Sequence, residues 1–307
     1  MNALVAAPGK PGGIEVRAVE EPAARPGEAL IEMRAVSLNR GEVRALGTAD
    51  DGWRPGWDVA GTVLEPADDG SGPDAGTRVV GLAGGAAWAQ RVPVRTSLLA
   101  PIPDALSFPA AATLPVAGLT AYRALAVGGM VDGQRVLVTG AAGGVGRFAV
   151  QLAGHGGARV TAVVGSQSRA AGLTDLGAHD VIVGMPTEGE FDVVLESAGG
   201  SSLGTALRLV ASNGTVVSYG NSSREPTTFD VSAFYSKSGA SLYAFVLFPE
   251  LQRSGTAVRD LAYLAGLTAT GRLDPQIGLT AEWDDAAAAV DALMSRRVAG
   301  KAVLLIE

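Results

Sequence analysis

The stretch RVLVTGAAGGVGRFAVQLA, residues 135–153, decides the fold. An apolar, β-rich run drives into Gly140, Gly143, Gly144 and Gly146, and a helix-type pattern follows at once. Glycine at such a bend permits positive φ, lets backbone approach an anionic ligand closely, and lets the helix pack against the strand. The start of that helix offers unpaired N–H groups and the positive end of its dipole. No Lys-Ser/Thr pair follows, which disfavours a Walker-type loop. A tight strand–helix turn that binds nothing is the plain alternative. Position at the first crossover of a long strand–helix series favours the ligand.

Outward from this stretch, the texture alternates. RVLVTG, ARVTAVVG, DVIVG, FDVVLESA, GTVVSYG and ASLYAFVLF read as strands, several with the continuous Val/Ile/Leu runs of buried parallel strands. Helices of about ten residues fit between the first three and between FDVVLESA and GTVVSYG. The fold class is α/β, a Rossmann-type doubly wound parallel sheet. Upstream, EALIEMRAVSL, DVAGTVLEP and GTRVVGLAG are short β-runs parted by turns, which predicts a separate β-rich domain. FPAAATLPVAGLTAYRALAV reads as helix after Pro109, broken at Pro115 and restarted near Gly118. Downstream, two helical stretches and the strand KAVLLIE return to the first domain. The expected boundaries are 1–117 with 257–307 for the β-rich domain and 118–256 for the Rossmann domain.

The second strand tells which dinucleotide to expect. An NAD site places Asp or Glu at its end to hold the ribose 2′-OH. Here the strand runs into Gly165, Ser166, Gln167, Ser168 and Arg169, and the first acid downstream is Asp175. Serine hydroxyls and a guanidinium suit a 2′-phosphate, so the expected cofactor is NADPH. The alternative for Arg169 is a solvated residue at a helix start.

Composition narrows the chemistry. The chain has 307 residues, 47% hydrophobic and 18% charged, with a formal net charge of −7. It has no block of basic residues, which argues against nucleic acid or an anionic membrane as partner. The N-terminus is a poor secretory signal and no apolar run reaches membrane-span length, so a soluble, cytoplasmic protein with a small-molecule substrate is expected. Cysteine is absent and only His155 and His179 are present. Each histidine precedes an apolar run without a companion nucleophile or ligand set, so a bland surface role is expected for both and no metal site.

The segments VSLNRGEVRALG, PGWDVAGTV, LPVAGLTAYRAL, VLVTGAAGGVGRFAVQLA, VVSYGNSS and GKAVLL run in order along nearly the whole chain. Together they resemble the zinc-free quinone oxidoreductase branch of the medium-chain dehydrogenase/reductase superfamily. The resemblance implies a GroES-like catalytic domain interrupted by the Rossmann domain, with the cofactor in the cleft. It also implies a homodimer through the Rossmann edge strand near residues 240–248. By the same resemblance, Gly140, Ala142, Gly143, Gly144, Val145 and Gly146 form the diphosphate loop. Gly165, Ser166 and Arg169 correspond to the adenosine ribose site. Thr120, Ser197, Tyr219, Asn221, Ser222, Phe245, Val246 and Lys301 correspond to the remaining cofactor contacts. Asn39 matches the asparagine at the floor of the active site.

Two tyrosines of many relatives are missing. One, proposed to bind the substrate carbonyl, has no counterpart in ALGTADDGWRPGWDVAG, which carries only Trp53 and Trp57. These indoles could wall a flat substrate ring or simply pack their Gly/Pro-rich loop. The other, near the 2′-phosphate in some relatives, is replaced around VIVGMP by Gly184. Asp58 reads as a turn or structural carboxylate. Enone reduction needs a donor for the growing enolate oxygen, and without the tyrosine this falls to Asn39, a backbone amide, water or the cofactor ribose. A quinone asks less, because the hydroquinone takes protons from solvent. The expected function is therefore NADPH-dependent reduction of a quinone or other activated acceptor. The alternative is a dinucleotide-bound protein doing non-reductive isomerisation or cyclisation, or acting as a sensor.

Overall fold

The computed structural model describes residues 1–306. The chain divides into two compact units, Met1–Leu119 joined by the segment from Leu251 onward, and Thr120–Glu250. Both crossings lie inside helices, two residues later than 117/118 and six earlier than 256/257.

The first unit opens with antiparallel β1 (Asn2–Ala6) and β2 (Ile14–Ala18). It continues through β3 (Glu28–Leu38), α1 (Arg40–Leu46), β4 (Asp58–Glu65), β5 (Arg78–Leu82), β6 (Arg91–Arg95), β7 (Leu99–Pro101) and α2 (Phe108–Ala112). Eleven-residue β3 organises the sheet. Its first half pairs with β6, Glu28 opposite Arg95, while β4 runs antiparallel along its length. Its apolar alternation buries Ile31, Met33, Val36 and Leu38 in a core with Leu4, Trp88 and Leu99. A single π-turn, Leu114–Gly118, then leads into α3 (Leu119–Gly128). The proline at 115, expected to break the helix, is accommodated by this wider turn, in which Leu119 N–H donates to the Leu114 carbonyl.

The second unit holds β8 (Arg135–Thr139), α4 (Gly144–His155), β9 (Arg159–Val164), β10 (Asp180–Val183), β11 (Phe191–Glu196), α5 (Gly200–Leu209), β12 (Val210–Ser218), α6 (Val231–Tyr235) and β13 (Ser241–Ala244), and ends within α7 (Leu247–Ser254). Its six strands are all parallel, in the order β10-β9-β8-β11-β12-β13. The chain winds outward from β8 to β10 and then restarts beside β8 with β11, which makes the β8/β11 junction the topological switch point.

Two expectations fail here. No ten-residue helix joins β9 to β10. A three-residue 3-10 turn, Gln167–Arg169, gives way to turns, because Gly172 (φ +75°) and Gly177 (φ +106°) adopt left-handed backbone that ends helical runs. ASLYAFVLF is strand only over Ser241–Ala244. From Leu247 it becomes α7, with Pro249 in the first turn, where a missing N–H costs nothing.

After α8 (Ala257–Ala269), β14 (Ile277–Glu282), α9 (Ala286–Met294) and β15 (Lys301–Leu305) complete the first unit. β15 pairs antiparallel with the second half of β3, Ala302 opposite Leu38. No helix among the described residues is long and apolar enough to cross a membrane.

Candidate functional site

The predicted residues of the second unit converge at the carboxyl ends of its parallel strands. Gly140 ends β8 with φ +60°, and a Cβ there would lie 2.7 Å from the Ser197 hydroxyl. Gly143 N–H donates to the Gly140 carbonyl at 2.9 Å, tightening the bend. A Cβ on Gly146 would sit 2.4 Å from that same carbonyl oxygen and 2.6 Å from Ala141 Cα, so only glycine lets α4 approach the strand this closely. The N-terminus of α4, capped by Gly143, has no side-chain cap and no acid in its first turn. Gly144 and Val145 therefore present helix-start N–H groups without internal partners, while Ala142 is buried beneath them. A backbone cradle with a positive dipole end and no side chain in the way fits a dinucleotide diphosphate.

The switch point is stitched by side chains. Ser197 N–H donates to Thr139 Oγ1 at 2.9 Å, and Ser197 Oγ donates to the Thr139 carbonyl at 3.2 Å. The loop beyond β11 then wraps around Glu196, which is completely buried. Its carboxylate accepts from Ala198 N–H (2.9 Å), Gly199 N–H (3.0 Å) and Ser202 Oγ (2.9 Å). Four donors, counting Thr139 Oγ1 at 3.3 Å, offset the cost of burying this charge. Sequence reading missed Glu196, since an acid inside a strand gives no sign of where its donors lie.

The loop after β12 is tied to the same place. Ser222 donates to the Ser197 carbonyl from both N–H (3.1 Å) and Oγ (2.9 Å). Asn221 Oδ1 accepts from Arg224 N–H at 3.0 Å. Burial, with the Glu196 charge adding to it, raises the Tyr219 phenol above its ordinary range against a bond with Ser197, so the group stays protonated. Phe245 is buried, its N–H bonded to the Ser218 carbonyl, whereas Val246 is exposed. Thr120 is buried in α3. At the end of β9, Gly165 faces open space, and the Ser166 and Ser168 hydroxyls lie 3.0 Å apart beside Arg169.

The first unit contains a different constellation. Lys301, only 2% exposed, donates from Nζ to Asn39 Oδ1 at 2.6 Å and to the Leu38 carbonyl at 3.2 Å. Its ammonium stands 3.6 Å from Asp58 Oδ2. Asn39 Nδ2 donates to Asp58 Oδ2 at 2.8 Å and to Glu42 Oε1 at 3.0 Å, so both amide hydrogens and the amide oxygen are engaged. Ser37 Oγ donates to Asp58 Oδ2, and Val116 N–H, inside the π-turn, donates to Oδ1 at 2.8 Å. Asp58 is thus a fully buried hub at the start of β4 and not a turn residue.

Glu42 was not foreseen, although Asn39-x-x-Glu42 is a capping-box spacing. Its Oε1 accepts the Asn39 backbone N–H at 2.7 Å, while its buried Oε2 has no partner. Desolvation first, then the Asp58 charge, pushes the Glu42 carboxyl up to about 8, opposed by Asn39 and Lys301. Desolvation lowers the Lys301 ammonium against the pull of Asp58 and Glu42.

The two tryptophans part company. A Cβ on Gly41 would be 3.0 Å from Trp57 Cη2, which seats that indole against the first turn of α1, next to the Asn39 network. Trp53, 38% exposed, is anchored by its carbonyl, which accepts Ala6 N–H of β1 at 2.7 Å.

A Rossmann unit with a glycine cradle, carried in one chain with a sheet-rich unit that a C-terminal strand completes, is the layout of the medium-chain dehydrogenase/reductase fold. The family pattern described as zinc-binding dehydrogenase matches residues 144–304, and the alcohol dehydrogenase GroES-like domain matches residues 25–104. The chain belongs to the zinc-binding dehydrogenase family and is quinone oxidoreductase-like within it. Over its full length it is similar to a mycobacterial protein, Rv1454c, solved in complex with NADPH, with 26% identity, 100% of each chain covered and a TM-score of 0.88. The quinone oxidoreductase from Coxiella burnetii gives 25% identity, 100% and 99% coverage and a TM-score of 0.85. Over 291 residues it is 36% identical to the spectinabilin polyketide synthase system protein NorB of Streptomyces orinoci, covering 91% of this chain and 13% of that protein. The chain spans about an eighth or less of the length of such curated relatives.

The donor set does not suit the zinc of the family's description. The chain has no cysteine, both histidines lie in the second unit, and among the described residues no three His, Asp or Glu side chains group to hold a metal ion.

Proposed function

We propose that this chain is a zinc-independent, NADP(H)-dependent reductase acting on a quinone or another strongly activated acceptor, such as an α,β-unsaturated carbonyl. The observation that carries this reading is the end of β9. Ser166, Ser168 and Arg169 stand where an NAD site would place a carboxylate, and no acid occurs between Gly165 and Arg169. Hydroxyl and guanidinium donors favour a 2′-phosphate. The NADPH of the similar mycobacterial structure supports the same choice.

When bound, the dinucleotide supplies hydride. The chain's own residues bind and orient it. Backbone N–H groups of Gly144 to Gly146 would hold the diphosphate, and the Ser197 and Ser222 loops border the switch point. Asn39 offers no spare N–H to a developing enolate, because Asp58 and Glu42 take both of its amide hydrogens. This favours acceptors whose reduced oxygens are protonated by solvent, and so quinones over simple enones.

The reading is tested by following loss of reduced-nicotinamide absorbance with a panel of quinones and enones, using NADPH and NADH in parallel. Faster turnover with NADPH and a quinone is expected. NADPH that binds but is oxidised by no acceptor would overturn the reading in favour of non-reductive chemistry or a sensor role.

The same proposal extends to a cytoplasmic homodimer. β13 is a sheet edge whose neighbourhood exposes Leu242, Val246 and Tyr235, apolar surface that pairing with a second copy would cover. Light scattering should give twice the chain mass, and Leu242→Lys should shift it toward monomer.

A further inference from the structure

We infer that Arg147 is a positioning residue that sets the preference for a 2′-phosphorylated dinucleotide, acting through the segment that follows β9. This inference rests on the NADP(H) reading above.

The segment from Gly165 to His179 has no α-helix of its own, only the 3-10 turn Gln167–Arg169. It keeps its shape through a few anchors. Leu173 is wholly buried, and Ala178 N–H bonds to the Leu173 carbonyl at 3.0 Å. The segment lies along α4 at two points. Near the far end, glycine faces glycine: a Cβ on Gly154 would be 3.1 Å from the Gly177 carbonyl oxygen. Near the cradle, Arg147 Nη2 donates to the Ala171 carbonyl at 2.8 Å. Gly172, with φ +75°, bends so closely that a Cβ there would lie 3.7 Å from Arg147 Nη1.

Arg147 therefore ties the diphosphate helix to the turn carrying Arg169, two residues before Ala171. Its placement is unusual on electrostatic grounds. Arg147 is the fourth residue of α4, only 8% exposed, at the end of the helix where the dipole disfavours a cation. The Ala171 carbonyl lies two residues beyond the 3-10 turn Gln167–Arg169, so holding it fixes the end of the turn at which the Ser166 and Ser168 hydroxyls lie 3.0 Å apart. Without that bond, the segment keeps the buried Leu173, the Gly154–Gly177 contact and the bond of His179 N–H to the Val160 carbonyl at its far end.

The test uses calorimetric binding of adenosine 2′,5′-bisphosphate and AMP to the full chain, with wild type, Arg147→Met, Arg147→Lys and Arg169→Met. Wild type should prefer the bisphosphate. Arg147→Met should weaken bisphosphate binding about tenfold more than AMP binding, and Arg147→Lys, which keeps a charged donor, should restore most of the preference. Arg169→Met should lose it as well. Equal weakening of both nucleotides in Arg147→Met, or a preference unchanged in that variant, would overturn the inference and leave the NADP(H) reading standing. A wild type without preference would remove that reading, and the inference with it. Should Arg147→Met fail to fold, Arg147→Lys against Arg147→Gln decides the same point by the preference each retains.

Discussion

The polar groups of the two units are spent in opposite ways. In the first unit, Lys301, Asn39, Asp58, Ser37 and Val116 N–H use their donors and acceptors on one another, with Lys301, Asp58 and Ser37 buried. In the second, the glycines after β8 and the start of α4 leave N–H groups without internal partners, facing outward at the switch point. A closed buried network fixes geometry and makes losing any one member costly. An open cradle contributes little to folding and is completed only by a ligand. Lys301 and Asn39, both expected near the cofactor, belong to the first kind.

The sharpest way to break this contrast is to remove the hub. Asp58→Ala strands the Lys301 ammonium and should cost ~3–5 kcal/mol in denaturant unfolding, with Asp58→Asn milder. A variant of unaltered stability would show that the network is not closed. The same network should make stability depend on pH. Glu42 has its folded-state value raised from 4.5 to about 8, so the folded chain holds a proton that the unfolded chain releases. Unfolding free energy should therefore fall as pH rises between those values, by at most ~1.4 kcal/mol per unit, and level off above. Asp58, Lys301 and Asn39 face this carboxyl, and Glu42→Gln should flatten the profile while leaving them in place.

In the second unit the prediction reverses, with large effects on binding. Gly146→Val drives a side chain into the Gly140 carbonyl and Ala141, and dinucleotide affinity should drop about 100-fold, or ~3 kcal/mol, by fluorescence titration. Ser166→Asp is expected to have a smaller effect. A carboxylate at the end of β9 should shift the NADPH/NADH ratio of kcat/KM toward NADH by about tenfold, ~1.4 kcal/mol, through repulsion of the 2′-phosphate and a new partner for the 2′-OH. An unmoved ratio would place the selectivity elsewhere.

The same contrast explains what could be read from the sequence. The Rossmann unit is built from consecutive strands and turns, so its glycine bend, its strands and the acid-free end of β9 were legible from local pattern. Its errors were local too. Gly172 and Gly177 forbid the helix expected after β9, and Pro249 starts α7 where a strand was expected to continue. The first unit hid more. Strands β1, β2 and β14 run to only five or six residues, which gives local pattern little to work on. Asp58 reads as a turn or structural carboxylate beside Gly56 and Trp57; the second reading holds, and only the return of β15 brings a lysine to it. Glu42 carried a local signature, but its raised carboxyl depends on Asp58 and Lys301, far away in sequence.

That long separation bears on biosynthesis. The bond from Lys301 to Leu38 spans 263 residues, whereas the second unit is one continuous piece from Thr120 to Glu250. As the chain leaves the ribosome, every strand of the second unit is available before β15 exists. The first unit must wait with Asp58 and Glu42 still lacking their cation and the second half of β3 still lacking β15. Closing so long a loop is slow. Until it closes, that half of β3 is an open edge carrying Val36 and Leu38, the part of the nascent protein most in need of protection from aggregation.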